Sequence, residues 1–436
     1  MYIHLVKKGE NLQGIARAVG VEADQIAQVN GLETDVLLPG TTLLVPTQVP
    51  TLLETYTIKE RDTLRKIANQ FHIPEKILLA ANQTLARESL PVGRVLTIPL
   101  PVLQKKQIEV NLRLEVQGEY EELATLDDAV DHISSLSIAA ALAAEDGTLR
   151  MPPLYESRKT AVQGSEPAFS AQESAPARPV RLMLLVAPED ETAAERIVTY
   201  GPSRQEFFQQ LRPWIAQDEF AGIHLEFTNL PVSARSAFTR FVRELALRVH
   251  QKRGKLYIAV PPHDNEERAY DIGLLQTFAD RIVWNAEEAY GRVDGPPMAL
   301  TPLHLVRRSL GYALTFIPRE KLLLGLPFYG FDWPMPYKSD KLASLVLFGP
   351  EVDPDVVTEL PQQIHWDDRA VTPMYTYRAE DGQLRQVWYE DQRSIAAKLC
   401  LVHDLGLAGV SVQVQGIAMP GYWPLLSDTF DIQSGD

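Results

Sequence analysis

The stretch Val6-Lys-Lys-Gly-Glu-Asn-Leu12 returns later in the chain as Ile58-Lys-Glu-Arg-Asp-Thr-Leu64, an offset of 52 residues. The offset holds through the segments that follow and becomes 53 after one inserted residue. The further matched pairs are Val21 and Ile73, Asn30 and Asn82, Leu38 and Leu90, Gly40 and Gly93, and Pro46 and Pro99. The first hundred residues therefore contain two copies of one small module.

Each copy is predicted to run strand, helix, helix, strand. In the first copy a strand begins at His4, a turn follows at Gly9-Glu-Asn11, and the closing strand is Thr42-Leu-Leu-Val-Pro46. The first helix carries Leu12, Ile15 and Ala16, and the second carries Ile26 and Val29 and stops at Asn30-Gly31. Asn11 and Asp62 occupy the positions where a helix N-cap is expected.

This pattern resembles the LysM module over residues 1–47 and 54–100. The resemblance implies binding of an N-acetylglucosamine polymer, peptidoglycan or chitin, between the first strand–helix loop and the second helix–strand loop. Carried over, the groove comprises Gly9, Glu10, Asn11, Leu12, Asn30, Gly31 and Leu32 in copy one, and Arg61, Asp62, Thr63, Leu64 and Asn82 in copy two. Copy two departs from the pattern at Arg61, where glycine is usual, and at Asn82-Gln-Thr. The alternative is that these residues serve only as caps and turns.

Bulk properties exclude several classes of protein. With 436 residues, the chain is expected to form two or three domains. Its net charge of -15 argues against nucleic-acid binding and against docking to anionic lipid. The single cysteine, Cys400, excludes a disulfide framework and a cysteine-rich metal site, and we expect neither a metal nor a cofactor. No apolar run reaches the ~18 residues of a membrane span. Because the start lacks a basic region followed by an apolar one, we expect cytoplasmic synthesis without a signal peptide.

After about Gln107 the sequence alternates between strand-like and helix-like segments. Eight strands are predicted, at Glu109–Glu115, Ser135–Ala140, Arg181–Val186, Gly222–Phe227, Lys255–Val260, Arg281–Trp284, Lys321–Pro327 and Gly409–Val414. This pattern predicts an α/β fold in which residues 107–432 form a (β/α)8 barrel. The segment from Leu342 to Tyr389, with a hairpin turning at Asp381-Gly382, is predicted to be an insertion before the last strand.

The fourth predicted strand, Gly222-Ile-His-Leu-Glu-Phe-Thr228, carries polar residues at alternate positions. Period-two alternation predicts that His224, Glu226 and Thr228 face the barrel interior, with Thr228 nearest the carboxyl end of the strand. Ligand sites of such barrels lie at that end. The alternative interpretation is a buried hydrogen-bonded network without a ligand.

This part of the chain resembles glycoside hydrolase family 18, especially a spore-associated branch in which two LysM modules precede a chitinase-like barrel. The matching pieces are Phe220–Pro231, Asp294-Gly-Pro-Pro-Met-Ala299, Phe328-Tyr-Gly-Phe-Asp-Trp333 and Val387-Trp-Tyr-Glu-Asp-Gln-Arg-Ser394. The resemblance implies cleavage of N-acetylglucosamine linkages, in which the acetamido oxygen of the substrate attacks the anomeric carbon. A glutamic acid protonates the leaving oxygen, and an acidic residue two positions earlier orients the acetamido group.

The residues implied for this chemistry are largely missing. Thr228 stands at the position of the proton donor, and a threonine hydroxyl is far too weak an acid for that role. Glu226 stands at the position of the orienting acid. The tyrosine-bearing stretch of the family falls on Ala286-Glu-Glu-Ala289, and its final-strand Tyr-Trp falls on Val412-Gln413. Asp332, Trp333 and Trp388 are left as candidate sugar contacts, although a core role fits each equally well.

Two functions follow from this pattern. The first is a peptidoglycan- or chitin-binding protein of the spore or cell wall whose barrel has lost catalysis. Its partners would be an N-acetylglucosamine polymer and proteins of the spore coat or cortex, and it would be deposited on the spore or forespore surface. The alternative is an active N-acetylglucosaminidase of peptidoglycan or spore cortex that uses a relocated carboxylate, Glu226 or Glu288.

Overall fold

The structure is a computed structural model of the chain. It describes residues 1–32, 37, 39–46, 51–71, 73, 75–82, 90–101, 105–114, 129–150, 179–216, 220–262, 269–286, 290, 292, 294–338, 341–346, 364–379, 381–414 and 421–435. Within these ranges no helix combines the length and the hydropathy that crossing a bilayer requires.

The two N-terminal modules have the predicted strand–helix–helix–strand order. The first comprises β1 (Tyr2–Leu5), α1 (Leu12–Val19), α2 (Ala23–Val29) and β2 (Thr42–Val45), with β1 antiparallel to β2. The second comprises β3 (Thr51–Thr57), α3 (Leu64–Gln70), α4 (Glu75–Ala81) and β4 (Val95–Pro101), with β3 antiparallel to β4. Each module has its own small apolar core, around Leu12 and Ile26 in the first and around Leu64 and Leu78 in the second.

All eight predicted barrel strands are present and parallel. They are β5 (Lys106–Leu114), β6 (Ser135–Ala143), β8 (Arg181–Pro188), β9 (Gly222–Leu225), β10 (Lys255–Val260), β11 (Arg281–Trp284), β12 (Leu322–Pro327) and β18 (Gly409–Val414). Because β5 pairs with both β6 and β18, the sheet closes into a barrel. The short β7 (Leu149–Arg150) extends β6 as a hairpin, and β19 (Phe430–Ile432) pairs with the start of β5.

Helices surround the barrel. They are α5 (Glu191–Thr199), α6 (Gly201–Ala216), α7 (Arg235–Gln251), α8 (Ile272–Phe278), α9 (Leu303–Ala313), α10 (Gln392–Leu405) and α11 (Tyr422–Thr429). On α7 the buried residues form one face, with Phe238, Phe241 and Leu245 directed at the sheet. Aromatic rings fill the layer between helix and strand, since Phe241 stacks on Phe227 at 5.6 Å between ring centroids.

The predicted insertion between the last two barrel strands is a separate antiparallel sheet. It contains β13 (Gly330–Met335), β14 (Ser344–Val346), β15 (His365–Asp367), β16 (Thr372–Arg378) and β17 (Leu384–Tyr389), in the order β14-β13-β17-β16-β15. The hairpin between β16 and β17 turns at the predicted Asp381-Gly382, and Gly382 has a φ of 79°, which glycine adopts without strain.

Candidate functional site

The barrel interior contains a row of buried polar side chains beside a small apolar cluster around Met183, Tyr257 and Val283. The outward residues of the strands are apolar, whereas buried polar side chains point inward from five strands. These are Glu109, Asn111 and Arg113 on β5, Ser135 and Ser137 on β6, His224 and Glu226 at β9, Asn285 after β11, and Ser411 and Gln413 on β18. Such a row is stable only if its members bond to one another or to a ligand.

His224 lies in the middle of the barrel and faces inward, as predicted. Its Nδ1 is 2.8 Å from the Ser137 hydroxyl oxygen, and its ring lies 6.0 Å from that of Tyr257. Burial lowers the pKa of His224 to about 3, so the imidazole is neutral at neutral pH. Its Nε2 has no hydrogen-bond partner among the described residues.

Glu226 also faces inward and is held in a buried ion pair. Its Oε1 accepts from Arg113 Nη1 at 2.6 Å and from Asn285 Nδ2 at 2.9 Å. Arg113 is 1% exposed and Glu226 is 8% exposed. The two donors approach from opposite sides of the barrel, from β5 and from the end of β11. Glu226 therefore accepts two hydrogen bonds through one carboxylate oxygen at the mouth of the barrel.

Gln413 lies beside Arg113 at the bottom of the barrel mouth. Its Oε1 accepts from Tyr329 at 3.3 Å and lies 3.5 Å from Arg113 Nη2. This is the position at which the family resemblance places a tryptophan. A glutamine amide bonded to its neighbours offers no broad apolar face on which a sugar could stack.

Arg113, Asn285 and Tyr329 were not identified from the sequence as site residues. A signal was present on β5, where Glu109, Asn111 and Arg113 recur at every second position like the polar row of β9. No local sequence pattern could predict the pair of Arg113 and Glu226, because the two residues are separated by 113 positions in the chain.

Thr228 does not continue the inward row. Strand β9 ends at Leu225, so strand geometry no longer fixes the direction of a residue three positions later. Thr228 is half-buried and lines a cleft of about 490 Å³ on the rim of the barrel. Glu191 and Glu195 on α5 line the same cleft. No sequence motif indicated that either of them lies near a site. Of the neighbouring stretch, Ala286 is buried, whereas Glu287 and the candidate acid Glu288 lie outside the described residues.

The three candidate sugar contacts of the insertion differ in their environment. Trp333 is fully buried and donates from Nε1 to the Gly295 carbonyl at 2.9 Å, so it has no free face for a sugar. Asp332 accepts from Tyr377 at 2.7 Å and from Arg385 at 2.6 Å. Burial raises the pKa of Asp332 against the effect of these two partners. Both residues therefore act in the core of the inserted sheet, and only the half-buried Trp388 keeps part of its side chain accessible.

In the first LysM module the predicted groove residues divide into turn formers and core. Gly9 has a φ of 85° and is exposed. The carboxylate of Glu10 bonds to the Lys7 backbone N–H at 2.8 Å and to His4 Nε2 at 2.7 Å. Asn11 caps α1 by accepting from the Gly14 N–H, as predicted. Leu12 is buried in the module core, so it shapes the groove from below.

The second module repeats this arrangement with one correction. The N-cap of α3 is Thr63, which accepts from the Lys66 N–H at 3.2 Å, and not Asp62. The offset of 52 places Thr63 on Asn11 and Asp62 on Glu10. Accordingly Asp62 accepts from the Lys59 N–H and from the Tyr56 hydroxyl, and the Lys59 bond lowers the pKa of Asp62. Leu64 is buried like Leu12.

Asn30 and Asn82 use their side-chain amides internally. Asn30 donates to the carbonyls of Ile26 and Leu44 and accepts from the Leu44 N–H. Asn82 makes the same three bonds, to Leu78 and to both backbone groups of Thr97. Each asparagine ties the second helix to the closing strand, so it holds the groove in shape without presenting its amide to a ligand. The exposed groove positions are Gly9, Asn11 and Gly31 in copy one, with Leu32 half-buried, and Arg61 and Thr63 in copy two.

Comparison with known proteins agrees with this architecture. A family model described as Glycosyl hydrolases family 18 matches residues 180–412, and the LysM domain matches residues 4–46 and 56–99. The chain is 28% identical over 447 residues to the cortical fragment-lytic enzyme of Bacillus subtilis, covering 87% of this chain and 99% of the relative. It superposes on the spore cortex-lytic enzyme SleL of Bacillus megaterium with a TM-score of 0.75 at 23% identity, over 99% of both chains. The Bacillus cereus SleL structure gives 0.75 at 24% identity, over 100% of this chain and 99% of that one.

Proposed function

We propose that this chain, which belongs to glycosyl hydrolases family 18 and carries two LysM domains, binds peptidoglycan of the spore or cell wall without cleaving it. LysM domains and cortex-lytic relatives support an N-acetylglucosamine polymer as the ligand. Deposition on the spore or forespore surface, beside coat or cortex proteins, belongs to the same proposal. The barrel would serve as a scaffold or as a docking surface.

The observation that carries this proposal is that the Glu226 carboxylate is paired with Arg113 and Asn285. Substrate-assisted hydrolysis needs a carboxylic acid that gives a proton to the leaving oxygen, a contribution of about 10²–10⁴-fold in rate. Thr228 cannot supply that proton. The Oε1 atom of Glu226 already accepts hydrogen bonds from Arg113 and Asn285, and these would have to be given up before the carboxyl group could serve a substrate. Gln413 in place of a tryptophan removes the stacking surface for the sugar as well.

A second candidate function is supported by the cleft beside Thr228. Glu191 and Glu195 line that cleft, so either could place a carboxyl group near the position of the lost acid. An active N-acetylglucosaminidase with a relocated acid would use one of them or Glu288. Glu226 fits this role poorly, because its ion pair with Arg113 would have to break first.

Incubating the full-length protein with cortex fragments and with chitin oligomers separates the two functions. We expect no reducing ends above those formed in buffer. Reducing ends that disappear in Glu191→Gln or Glu195→Gln would contradict the proposal and establish a relocated acid. Glu206→Gln, which changes a half-buried glutamate on α6 outside the cleft, is the matched control.

Binding is tested separately by co-sedimentation of the protein with purified, insoluble peptidoglycan. We expect the protein in the pellet and its release by soluble N-acetylglucosamine oligomers. Protein that stays in the supernatant under all salt conditions would contradict the proposed ligand.

A further inference from the structure

Helix α10 is buried almost all the way round. Ten of its fourteen residues are buried, including every residue from Ser394 to Val402. By contrast α7 buries seven of seventeen residues, and these form one face. The outer helices of a barrel normally turn their second side to water, and a helix that is apolar all round is covered on all sides. Something must therefore cover the outward side of α10.

The LysM modules supply that cover. Strands β2 and β3, one from each module, pack against α10, while α9, α11 and β16 contact its other sides. The Thr42 hydroxyl on β2 donates to the side-chain oxygen of Gln392 on α10. Leu44 is fully buried and belongs to the same apolar cluster as Leu399 and Leu401 of the helix.

The packing is close at the start of α11 as well. A side chain at Gly421 would meet the Gln392 amide nitrogen at 2.9 Å and the Leu44 Cδ1 atom at 3.4 Å. Glycine is the residue that leaves room for this approach.

In the first module, strand β2 turns one face to the module core and the other face to the barrel. Leu43 and Val45 belong to its own core, whereas Leu44, on the opposite face of the strand, belongs to the barrel cluster. The equivalents of Thr42 and Leu44 in copy two are Val95 and Thr97, and both are half-buried. The groove positions Gly9, Asn11 and Gly31 stay exposed while the module is docked, so a ligand can reach them.

We propose that the outer face of α10 is a permanent docking surface for the LysM modules, through which polysaccharide binding stabilises the barrel. A ligand that binds only the folded state raises stability by mass action, and its effect reaches every part that unfolds with its site. Because undocking would expose the apolar outer side of α10, modules and barrel unfold together. The ligand part of this inference rests on the proposed function, and the docking part does not.

The chain contains a selective reporter for the barrel. All six tryptophans lie between Trp214 and Trp423, and the modules have none. Tryptophan fluorescence during urea unfolding of the full-length chain therefore follows the barrel and its inserted sheet, without a contribution from the modules. We expect one transition whose midpoint rises to higher urea when N-acetylglucosamine hexamer is added. A hexamer that binds by calorimetry and leaves this midpoint unchanged would overturn the coupling.

Two variants test the docking without a ligand. Leu44→Thr introduces the residue that copy two carries, and Gln392→Ala removes the barrel side of the Thr42 bond. Both should shift the tryptophan midpoint to lower urea, while Thr97→Ser, at the equivalent place in copy two, leaves it unchanged. A parental midpoint in both variants would overturn the docking surface. If the hexamer does not bind at all, the proposed ligand fails, and these variants still decide the docking.

Discussion

Arg113 is a buried cation paired with Glu226 across the barrel, and this pair should be visible in the stability of the protein. Replacing Arg113 by Met leaves the Glu226 carboxylate in a buried site without its counter-ion. We expect Arg113→Met to lower the free energy of unfolding by about 3 kcal/mol, measured by urea denaturation. The double variant Arg113→Met with Glu226→Met should recover most of the loss. A single variant as stable as the parent would contradict the pairing.

His224 predicts a pH dependence with a definite sign. Its folded-state pKa of about 3 lies below the unfolded value near 6.5, so the unfolded chain takes up the proton first. The contribution of His224 to stability is complete above pH 6.5 and is lost as the pH falls toward 3, by about 1.4 kcal/mol per pH unit. The difference in unfolding free energy between parent and His224→Gln should be constant above pH 7 and change below it. A difference that does not vary between pH 7 and 4 would exclude this account.

Thr228 tests whether the missing acid alone explains a loss of catalysis. Thr228→Glu restores a carboxyl at the implied donor position, but Arg113, Glu226 and Gln413 still fill the floor of the barrel mouth. We expect no release of reducing ends from chitin oligomers by this variant. Thr228→Gln is the control of equal size without an acidic proton. Turnover by the glutamate variant that the glutamine variant lacks would show that the rest of the site is intact.

The turn between β3 and α3 keeps the left-handed backbone conformation of the first module, although arginine replaces glycine there. Arg61 has a φ of 67°, in the left-handed region where Gly9 of the first module sits at 85°. A side chain in that region costs roughly 1–2 kcal/mol. We therefore expect Gly9→Ala to lower the midpoint of thermal unfolding and Arg61→Gly to raise it or leave it unchanged. A loss of stability in Arg61→Gly would mean that its side chain makes contacts worth more than the strain.

At the level of elements, the sequence predicts most of the fold. The eight barrel strands and the two βααβ modules follow from periodicity, turn residues and the internal offset. Of the insertion, only its place before the last strand and its hairpin at Asp381-Gly382 were predicted, since the sheet already begins at Gly330 with β13. Outward Ile223 and Leu225 and inward His224 and Glu226 follow from the alternation of a strand. That alternation fails at Thr228 because the strand has already ended. The prediction of Asp62 as the N-cap of α3 is wrong by one residue. Asp62 and Thr63 are both good capping residues, and only the register of the repeat distinguishes them.

Contacts between distant elements could not be predicted in the same way. The Arg113–Glu226 pair and the Thr42–Gln392 bond join residues 113 and 350 positions apart. Trp333 was a candidate sugar contact because tryptophan faces often bind sugars, yet the inserted sheet buries it completely. Burial depends on what packs against a side chain, and a single sequence does not contain that information for a loop-rich insertion.

At the scale of the whole molecule, the two modules and the barrel form one continuous packed structure. The modules cover an apolar helix of the barrel and keep their exposed loops free for polysaccharide. With a net charge of -15, the protein has no excess of positive charge to attract a polymer. We therefore expect hydrogen bonds and shape at those loops to determine polymer recognition. In the function proposed above, the protein holds the cell-wall polymer and does not cut it.

The most direct test of this claim is to bind the full-length protein to insoluble spore-cortex peptidoglycan, wash the pellet, and analyse the soluble fraction by mass spectrometry over time. We expect the protein to stay in the pellet and the soluble fragments to match those from peptidoglycan incubated in buffer alone. Soluble fragments with new N-acetylglucosamine reducing ends, increasing with time and with protein concentration, would contradict it.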